Sequence, residues 1–580
     1  MKVVLKHAGK WLRFDQPEKV LCAERVEDVM PMLCEAEASG RFAVGFISYE
    51  AAPAFDRAFR AYPPDAFPLL CLGLFSAPDV MEELNDVTGG AYEVGELKPS
   101  ISKEGFASAI GDIKKRIEEG ETYQVNYTYR LTADFSGDPW AFFCRLVESQ
   151  KTEHAAFVDT GDYTICSASP ELFFSLDRGR IVSRPMKGTA RRGRTLLEDT
   201  AQAEALGESE KDRAENIMIV DMIRNDISRV AELGSVETVS RFDIEKYPTV
   251  WQMTSTVHGR IDGKSTSHAE GAVGTVSGII KNLFPCASIT GAPKAKTMEI
   301  IHEMEASSRK IYTGTVGFIS PQGDACFNVA IRTALIDHTT GMLEYGVGGG
   351  IVWESDAEAE YQETQTKARV LTQPVPDFKL LETMLWQPAS GIFLLSEHLH
   401  RLQESSLYFD IPLDIAAVEQ ALQQRSQTLE AEDRRLRLLV SRDGAFEVQS
   451  YPLQESGEGE SLVALAKEPI DSQDIFYFHK TTSRAVYEKA RADFPDCDDV
   501  ILWNEKGEVT EGSIANIVIR REEKLVTPAV ECGLLAGTFR GALLQSGEIE
   551  ESVISIDDLK ATDEIFLINS VRKWRRVKLS

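Results

Sequence analysis

The feature that most constrains this chain is a break near two thirds of its length, where the helical pattern ending KARVLTQ runs into Pro374-Val375-Pro376-Asp377. Two prolines in three residues stop a helix and favour an extended connector. A fresh apolar start, FKLLETMLW, follows at once. The 580 residues exceed what one hydrophobic core holds. The break therefore predicts a large domain over 1–373, a linker over 374–377 and a smaller domain over 378–580. A second composition shift, GEGE at 457–460, reads as a hinge between two lobes of the smaller domain.

Charge narrows the classes of function. There are 63 basic and 91 acidic residues, a formal net charge of −28. Such a surface repels phosphate backbones and anionic lipid, so neither nucleic acid nor membrane is an expected partner. An anionic substrate then needs a local pocket bearing cations or metal. Nine single cysteines, with no C-x-x-C, read as reduced thiols and predict a cytoplasmic protein. The opening MKVVLKHAGKWLRF lacks the apolar stretch of a signal peptide.

In the first domain, LEYGVGGGIVWESDAEAEYQETQTKARVL (343–371) reads as a strand broken by Gly346, Gly348, Gly349 and Gly350, then a helix. Adjacent glycines let a ligand approach bare backbone N–H groups. Ser355 and Glu358 have capping-box spacing. Glu360, Glu363 and Lys367 share one helix face. A second helix, predicted over 210–231, puts Ile217, Val220, Ile223 and Ile227 toward the core and carries Asp212 and Glu215 near its start. Taken alone these are ordinary first-turn acids. Two such helices facing each other would instead suit Mg²⁺, which prefers oxygen ligands. Gly291 and Pro293 mark a third helix start, open to an anion.

Eight segments in one order, among them GETYQVNYTYRL (120–131), SASPELFF (167–174), RPMKGTARRG (184–193), AENIMIVDMIRND (214–226), SITGAPKAKTMEII (288–301) and GVGGGIVWESDAEAEYQETQTKA (346–368), resemble the chorismate-utilising enzymes. The resemblance implies an α/β sandwich that binds chorismate and Mg²⁺. Gln124 stands where the water-adding members carry a lysine base, which disfavours hydration. Lys187 matches the lysine of aminodeoxychorismate synthases, where anthranilate synthases carry alanine. It is implied to attack C2 of chorismate as the C4 hydroxyl leaves, before ammonia enters at C4. That role needs an amine held partly deprotonated. Glu171 is implied as general acid/base, Glu215 and Glu363 as metal ligands, and Tyr312, Arg332, Ser288, Gly349, Gly350, Glu360 and Lys367 as chorismate-binding residues. Trp251-Gln252 and Ala287-Ser288 depart from the family pattern. No G-x-C-x-G elbow surrounds any cysteine, so the resemblance implies ammonia from a separate glutamine amidotransferase subunit or from solution.

Residues 378–580 carry LLSEHLHRLQESSLYFDIP, FHKTTSRAVYEKA, DDVILWNEKGEVTEGSIANIVI, GLLAGTFRGALL and EIFLINSVRKW. This order resembles the fold-type IV pyridoxal-phosphate (PLP) enzymes, a group that includes aminodeoxychorismate lyase and several aminotransferases. Lys480 is implied as the Schiff-base lysine and Glu511 as the acid facing the pyridine nitrogen. Arg401, Gly537-Thr538 and Asn516 are implied at the phosphate, and Asn569 on the substrate side. The whole is expected to be α+β, a chorismate-type sandwich followed by a two-lobed PLP domain that can pair as a homodimer. Its expected product is 4-aminobenzoate. The alternatives are an anthranilate synthase joined to an aminotransferase, and a partly degenerate scaffold.

Overall fold

The computed structural model describes residues 1–84, 90–261, 274–372, 376–453 and 461–580. It divides into two compact units, 1–191 with 203–375, and 192–202 with 376–580. The short stretch 192–202 thus clusters with the second unit, a placement that the expected boundary at 373 does not contain. The GEGE segment lies outside the described residues.

The first unit is built on two large, mostly antiparallel sheets. In one, the long strand Gln124–Gly137 pairs with Met342–Ile351 in unbroken register, setting Gly350 opposite Asn126 and Gly349 opposite Tyr127. In the other, Met186–Arg191 pairs with Val250–Arg260, but the register slips between Met186 and Thr189. Apolar side chains form extended cores, one of which includes Ile219, Val220, Ile223 and Ile227 of the helix Glu210–Ser228. Ile217 is 46% exposed instead of facing the core as expected. It precedes Ile219 by two residues, about 200° around the helix, and so occupies the solvent side.

Two further expectations are corrected. The helix Ala357–Ala368 is capped by Asp356, whose side chain accepts from the Ala359 N–H. Ser355 instead donates to Glu360 at 2.7 Å, so the Ser355/Glu358 box does not form. Cys22 and Cys71, directly opposed on neighbouring strands with Cα atoms 4.2 Å apart, are joined as a disulfide, while seven cysteines are free.

The second unit holds a four-stranded antiparallel sheet and a mixed eight-stranded sheet. Six strands of the latter close into a ring through the pairing of Glu511 with Asn516. Two residues expected at the cofactor thus stand side by side at the closure. Among the described residues no helix is long and apolar enough to cross a membrane.

Candidate active sites

In the first unit, a cavity of about 370 Å³ gathers every site residue expected from that half, namely Glu171, Lys187, Glu215, Ser288, Tyr312, Arg332, Gly349, Gly350, Glu360, Glu363 and Lys367. Asp212 lines it as well, whereas Gly291 and Pro293 do not. The slip between Met186 and Thr189 is a β-bulge holding Lys187 and Gly188. A bulge re-aims a side chain that regular pairing would place on one sheet face. Gly188 has φ of +100°, a conformation that costs a side-chain-bearing residue dearly.

Three side chains to which the motifs assigned no role hold this bulge. Asn216 Nδ2 donates to the Lys187 carbonyl at 3.2 Å, and Ser255 Oγ fixes that amide by donating to Asn216 Oδ1 at 2.6 Å. Gln252 Nε2 donates to the Gly188 carbonyl at 2.7 Å. The Trp251-Gln252 departure thus supports the loop that carries Lys187. The Lys187 amine forms an ion pair with Glu215 at 3.2 Å.

Glu171 sits in the turn after the strand Tyr163–Ser169 and is buried. Burial pushes its carboxyl up to about 7, against the hydrogen bond donated by Ser288 at 2.6 Å. A carboxyl in that range can give and take a proton near neutrality. On the helix Ala357–Ala368, Glu363 pairs with Lys367 at 2.7 Å, which holds its carboxyl below the usual range. Burial pushes Glu360 upward. Lys367 also donates to the Gly348 carbonyl at 2.8 Å.

Two glycines allow close approach. A Cβ at 346 would lie 2.1 Å from the Tyr312 ring, and one at 350 would lie 2.4 Å from Lys187 Nζ. Gln124 stands beside Gly350, fully buried, with neither amide atom hydrogen-bonded among the described residues. Leaving both atoms unmet in a closed interior is costly.

Two helices carry Glu215 and Glu363 to one cavity, yet no group of three His, Cys, Asp or Glu at metal-binding spacing occurs among the described residues. That donor set fits Mg²⁺, which is commonly held by one or two carboxylates with waters and substrate oxygens completing its shell.

The second unit has a cavity of about 350 Å³ lined by Arg401, Lys480, Glu511, Asn516, Gly537, Thr538 and Asn569, again the full expected set. The Lys480 amine is buried, and burial, helped by Arg401, lowers it to about 8. Burial raises Glu511 to about 7, although Tyr487 Oη donates to it at 2.6 Å. The helix Thr538–Ser546 points its N-terminus here, capped by Gly537. Such an end offers free N–H groups to an anion. A Cβ at 537 would lie 2.0 Å from Asn516 Oδ1, so only glycine fits.

Arg401 is fixed by a residue outside the expected set. Its Nε and Nη2 donate to both oxygens of buried Glu382 at 2.9 and 2.7 Å, and His398 bonds the same carboxylate at 2.6 Å. Burial opposes that charge, but Arg401 and His398 hold the carboxyl down to about 2. Arg435, Arg437, Arg484 and Arg572 also line the cavity. Asn569 Oδ1 accepts from the N–H groups of Val571 and Arg572, ordering the turn that presents Arg572. Buried amine, opposing acid, helix N-terminus and fixed arginine together fit PLP by the chemistry of each donor.

Comparison with known proteins assigns a separate family to each part of the chain. Residues 12–373 match the family described as chorismate binding enzyme, and residues 379–579 match amino-transferase class IV. Aminodeoxychorismate synthase component 1 of Salmonella typhimurium is 41% identical over 270 residues, 47% of this chain and 57% of that protein. Aminodeoxychorismate synthase of Streptomyces griseus is 40% identical over 290 residues, 50% of this chain and 38% of that protein. The chain thus spans between about a third and three fifths of these relatives. Anthranilate synthase component 1 of Methanothermobacter marburgensis is 34% identical over 371 residues, 60% of this chain and 77% of that protein. Among solved structures, anthranilate synthase component I of Streptococcus pneumoniae superposes with a TM-score of 0.54 at 25% identity, covering 64% of this chain and 92% of that one. A family match across more than half of the chain, over the unit that carries the Lys187 cavity, makes this protein a member of the chorismate binding enzymes, extended by a class IV aminotransferase-like unit.

Proposed function

We propose that the chain converts chorismate and ammonia into 4-aminobenzoate in two steps, one in each unit. The observation that carries the first step is the convergence of Lys187, Glu171 and Arg332 on one cavity, with Gln124 packed behind its Gly350 wall. In this reading Lys187 Nζ bonds to C2 of chorismate, the ring double bond shifts, and the C4 hydroxyl leaves as water with a proton from Glu171. Ammonia then bonds at C4, the double bond returns, and the C2–N bond breaks to free Lys187. The net change is chorismate plus ammonia to 4-amino-4-deoxychorismate plus water. Gln124 has no basic atom with which to deprotonate water, so hydration gains no help there. Arg332, its Nη1 donating to Gln150 at 3.2 Å, offers the rest of its fork to a substrate carboxylate. Glu215 and Glu363 would hold Mg²⁺, which supplies charge compensation for a second carboxylate.

In the second unit PLP would supply an electron sink for removal of the C4 proton. Lys480 holds the cofactor and moves that proton, and Glu511 stands as the acid opposite the ring nitrogen. Release of pyruvate then leaves an aromatic amine. Four cavity arginines beyond Arg401 favour a substrate with two carboxylates, which aminodeoxychorismate is. The relatives' names divide between aminodeoxychorismate and anthranilate synthases, and the position of the new amine separates the two readings. Nitrogen is assigned to a separate glutamine amidotransferase subunit or to free ammonia, and the cytoplasm is the compartment suited to the seven free thiols.

The test is incubation of the purified chain with chorismate, ammonium, Mg²⁺ and PLP, with products resolved by chromatography and mass. 4-Aminobenzoate and pyruvate in equal amounts are expected. Formation of 2-aminobenzoate, or survival of the activity in Lys187→Ala, refutes the assignment.

A further inference from the structure

The stretch Arg192–Gln202 leaves the first unit's sequence immediately after the strand that carries Lys187, yet it clusters with residues 376–580. Its sequence, RGRTLLEDTAQ, is rich in charge, a composition usual at a solvated surface. Instead Arg192 and Asp199 are buried, their side chains 8% and 1% exposed. Arg192 Nε and Nη2 each donate to the Asp199 carboxylate at 2.7 Å, and the Gly193 N–H donates to it at 2.9 Å. A two-pronged pair of this kind is geometrically stiff.

The pair grips one tyrosine. The Arg192 guanidinium lies 4.6 Å over the Tyr408 ring and donates to the Tyr408 carbonyl at 3.2 Å. Tyr408 Oη returns a bond to the Gly193 carbonyl at 2.8 Å. The other neighbour of that ring is His479, at 4.3 Å between centroids, which also meets the Phe409 ring at 4.8 Å and bonds Ser405 at 3.0 Å. His479 immediately precedes Lys480. The two side chains face different cavities, Lys480 the one with Glu511 and His479 the one lined by Thr195, Leu196 and Leu197. On its other side the Lys480 carbonyl accepts from the Leu381 N–H at 2.9 Å. The lysine backbone is therefore held between a strand and a wedged imidazole.

We propose that Arg192 is a positioning residue of the second site: with Asp199 it clamps Tyr408, and through Tyr408 and His479 it fixes the place of the Lys480 amine. This rests on the reading of Lys480 as the cofactor lysine. It also makes eleven residues, encoded well before the second domain, part of that domain's working structure.

The test uses the full chain in Arg192→Ala and Tyr408→Phe forms, the latter keeping the ring and losing only the bond to Gly193. In cofactor-free protein, modification of Lys480 by an acylating reagent is followed by peptide mass spectrometry across pH. The wild-type midpoint is expected near 8, and both variants should move it upward, Arg192→Ala further. Capture of added PLP, followed by absorbance, should slow about tenfold in Arg192→Ala, the scale of a small misplacement of a reacting group. Asp199→Asn combined with Arg192→Ala should add little, because the pair acts as one unit. Wild-type midpoint and capture rate in both folded variants overturn the proposal. Should Arg192→Ala fail to fold, Tyr408→Phe alone decides, and unchanged Lys480 reactivity there overturns it. PLP mapped in the wild type to a residue other than Lys480 would instead sink the reading of the site itself.

Discussion

Placing a single methyl group at residue 350 should disable the first unit without unfolding it. The Cβ of Gly350→Ala would lie 2.4 Å from Lys187 Nζ and 2.8 Å from Gln124 Nε2. Carbon reaches comfortable contact at about 3.5 Å, so something must retreat by about 1 Å. The backbone resists, because residue 350 is paired with Asn126 inside a ten-residue register of two long strands. The Lys187 amine is the far end of a flexible side chain and moves first. Displacing a reacting atom by about 1 Å costs on the order of 10²-fold in rate, or ~2.7 kcal/mol of barrier. The assay is kcat for ammonia-dependent consumption of chorismate at saturating ammonium and Mg²⁺, alongside thermal melting. Gly111→Ala, with nothing within 4 Å of its Cβ on the helix Lys103–Glu118, is the matched control and should leave kcat unchanged. A folded Gly350→Ala protein with kcat within about twofold of wild type, well short of the loss a misplaced group causes, would show that Lys187 Nζ is not the reacting group.

Three other outcomes follow from the electrostatics. Burial raises Glu171 to about 7, so a proton-donating role predicts that kcat of the first step falls as pH rises through about 7; the pH–rate profile of Glu171→Gln should lose that limb along with most of the rate. The sign for stability is the same, because the folded state holds this proton more tightly than the unfolded one, so Glu171's contribution weakens from the ordinary carboxyl range up to about 7. Lys480 is lowered to about 8, so PLP capture by cofactor-free protein should accelerate as pH rises through about 8, and Lys480→Ala should show no cofactor absorbance after gel filtration. Glu382→Ala leaves the nearly buried Arg401 without its counter-charge, and thermal or denaturant unfolding should record a loss of about 3–5 kcal/mol, with weaker PLP retention.

Much of both sites was legible because the chemistry lies in contiguous motifs. The 346–350 glycines and the Glu360/Glu363/Lys367 face read from local spacing, Lys187 and Glu171 from the resemblance their motifs carry, and the structure brings them to one cavity. The residues that hold those groups in place were not legible. Asn216, Ser255 and Gln252 act through single hydrogen bonds to partners 29 to 64 positions away, and nothing local in an amide or hydroxyl announces such a partner. Glu382 did leave a signal, an acid inside the apolar run LLETMLW, which a strand can bury only against a cation. Of the four additional arginines, Arg435 and Arg437 share the strand Arg434–Val440, and they join Arg484 and Arg572 only when three distant stretches meet around the cavity. Ile217 shows the converse limit. An apolar residue at roughly helical spacing fits the expected stripe, yet its angular position two residues before Ile219 leaves it in solvent.

The two lysines show how one functional group is set to different work by its surroundings. Lys187 is placed by a β-bulge, with its backbone carbonyl tied down and its amine paired to Glu215, so position is the quantity most tightly specified. Lys480 has cationic neighbours, Arg401 and Arg484, and a burial that disfavours its charged form, so proton affinity is specified as well. The difference matches the proposed tasks. Besides a free lone pair, a nucleophile at a ring carbon needs a line of attack, which a few tenths of an ångström can spoil, whereas a lysine that carries a cofactor and moves protons must change charge repeatedly near neutrality. The net charge of −28 makes the second arrangement harder to build. It requires arginines concentrated around one cavity of an acidic protein, and that local excess of cations suits the proposed substrate with its two carboxylates.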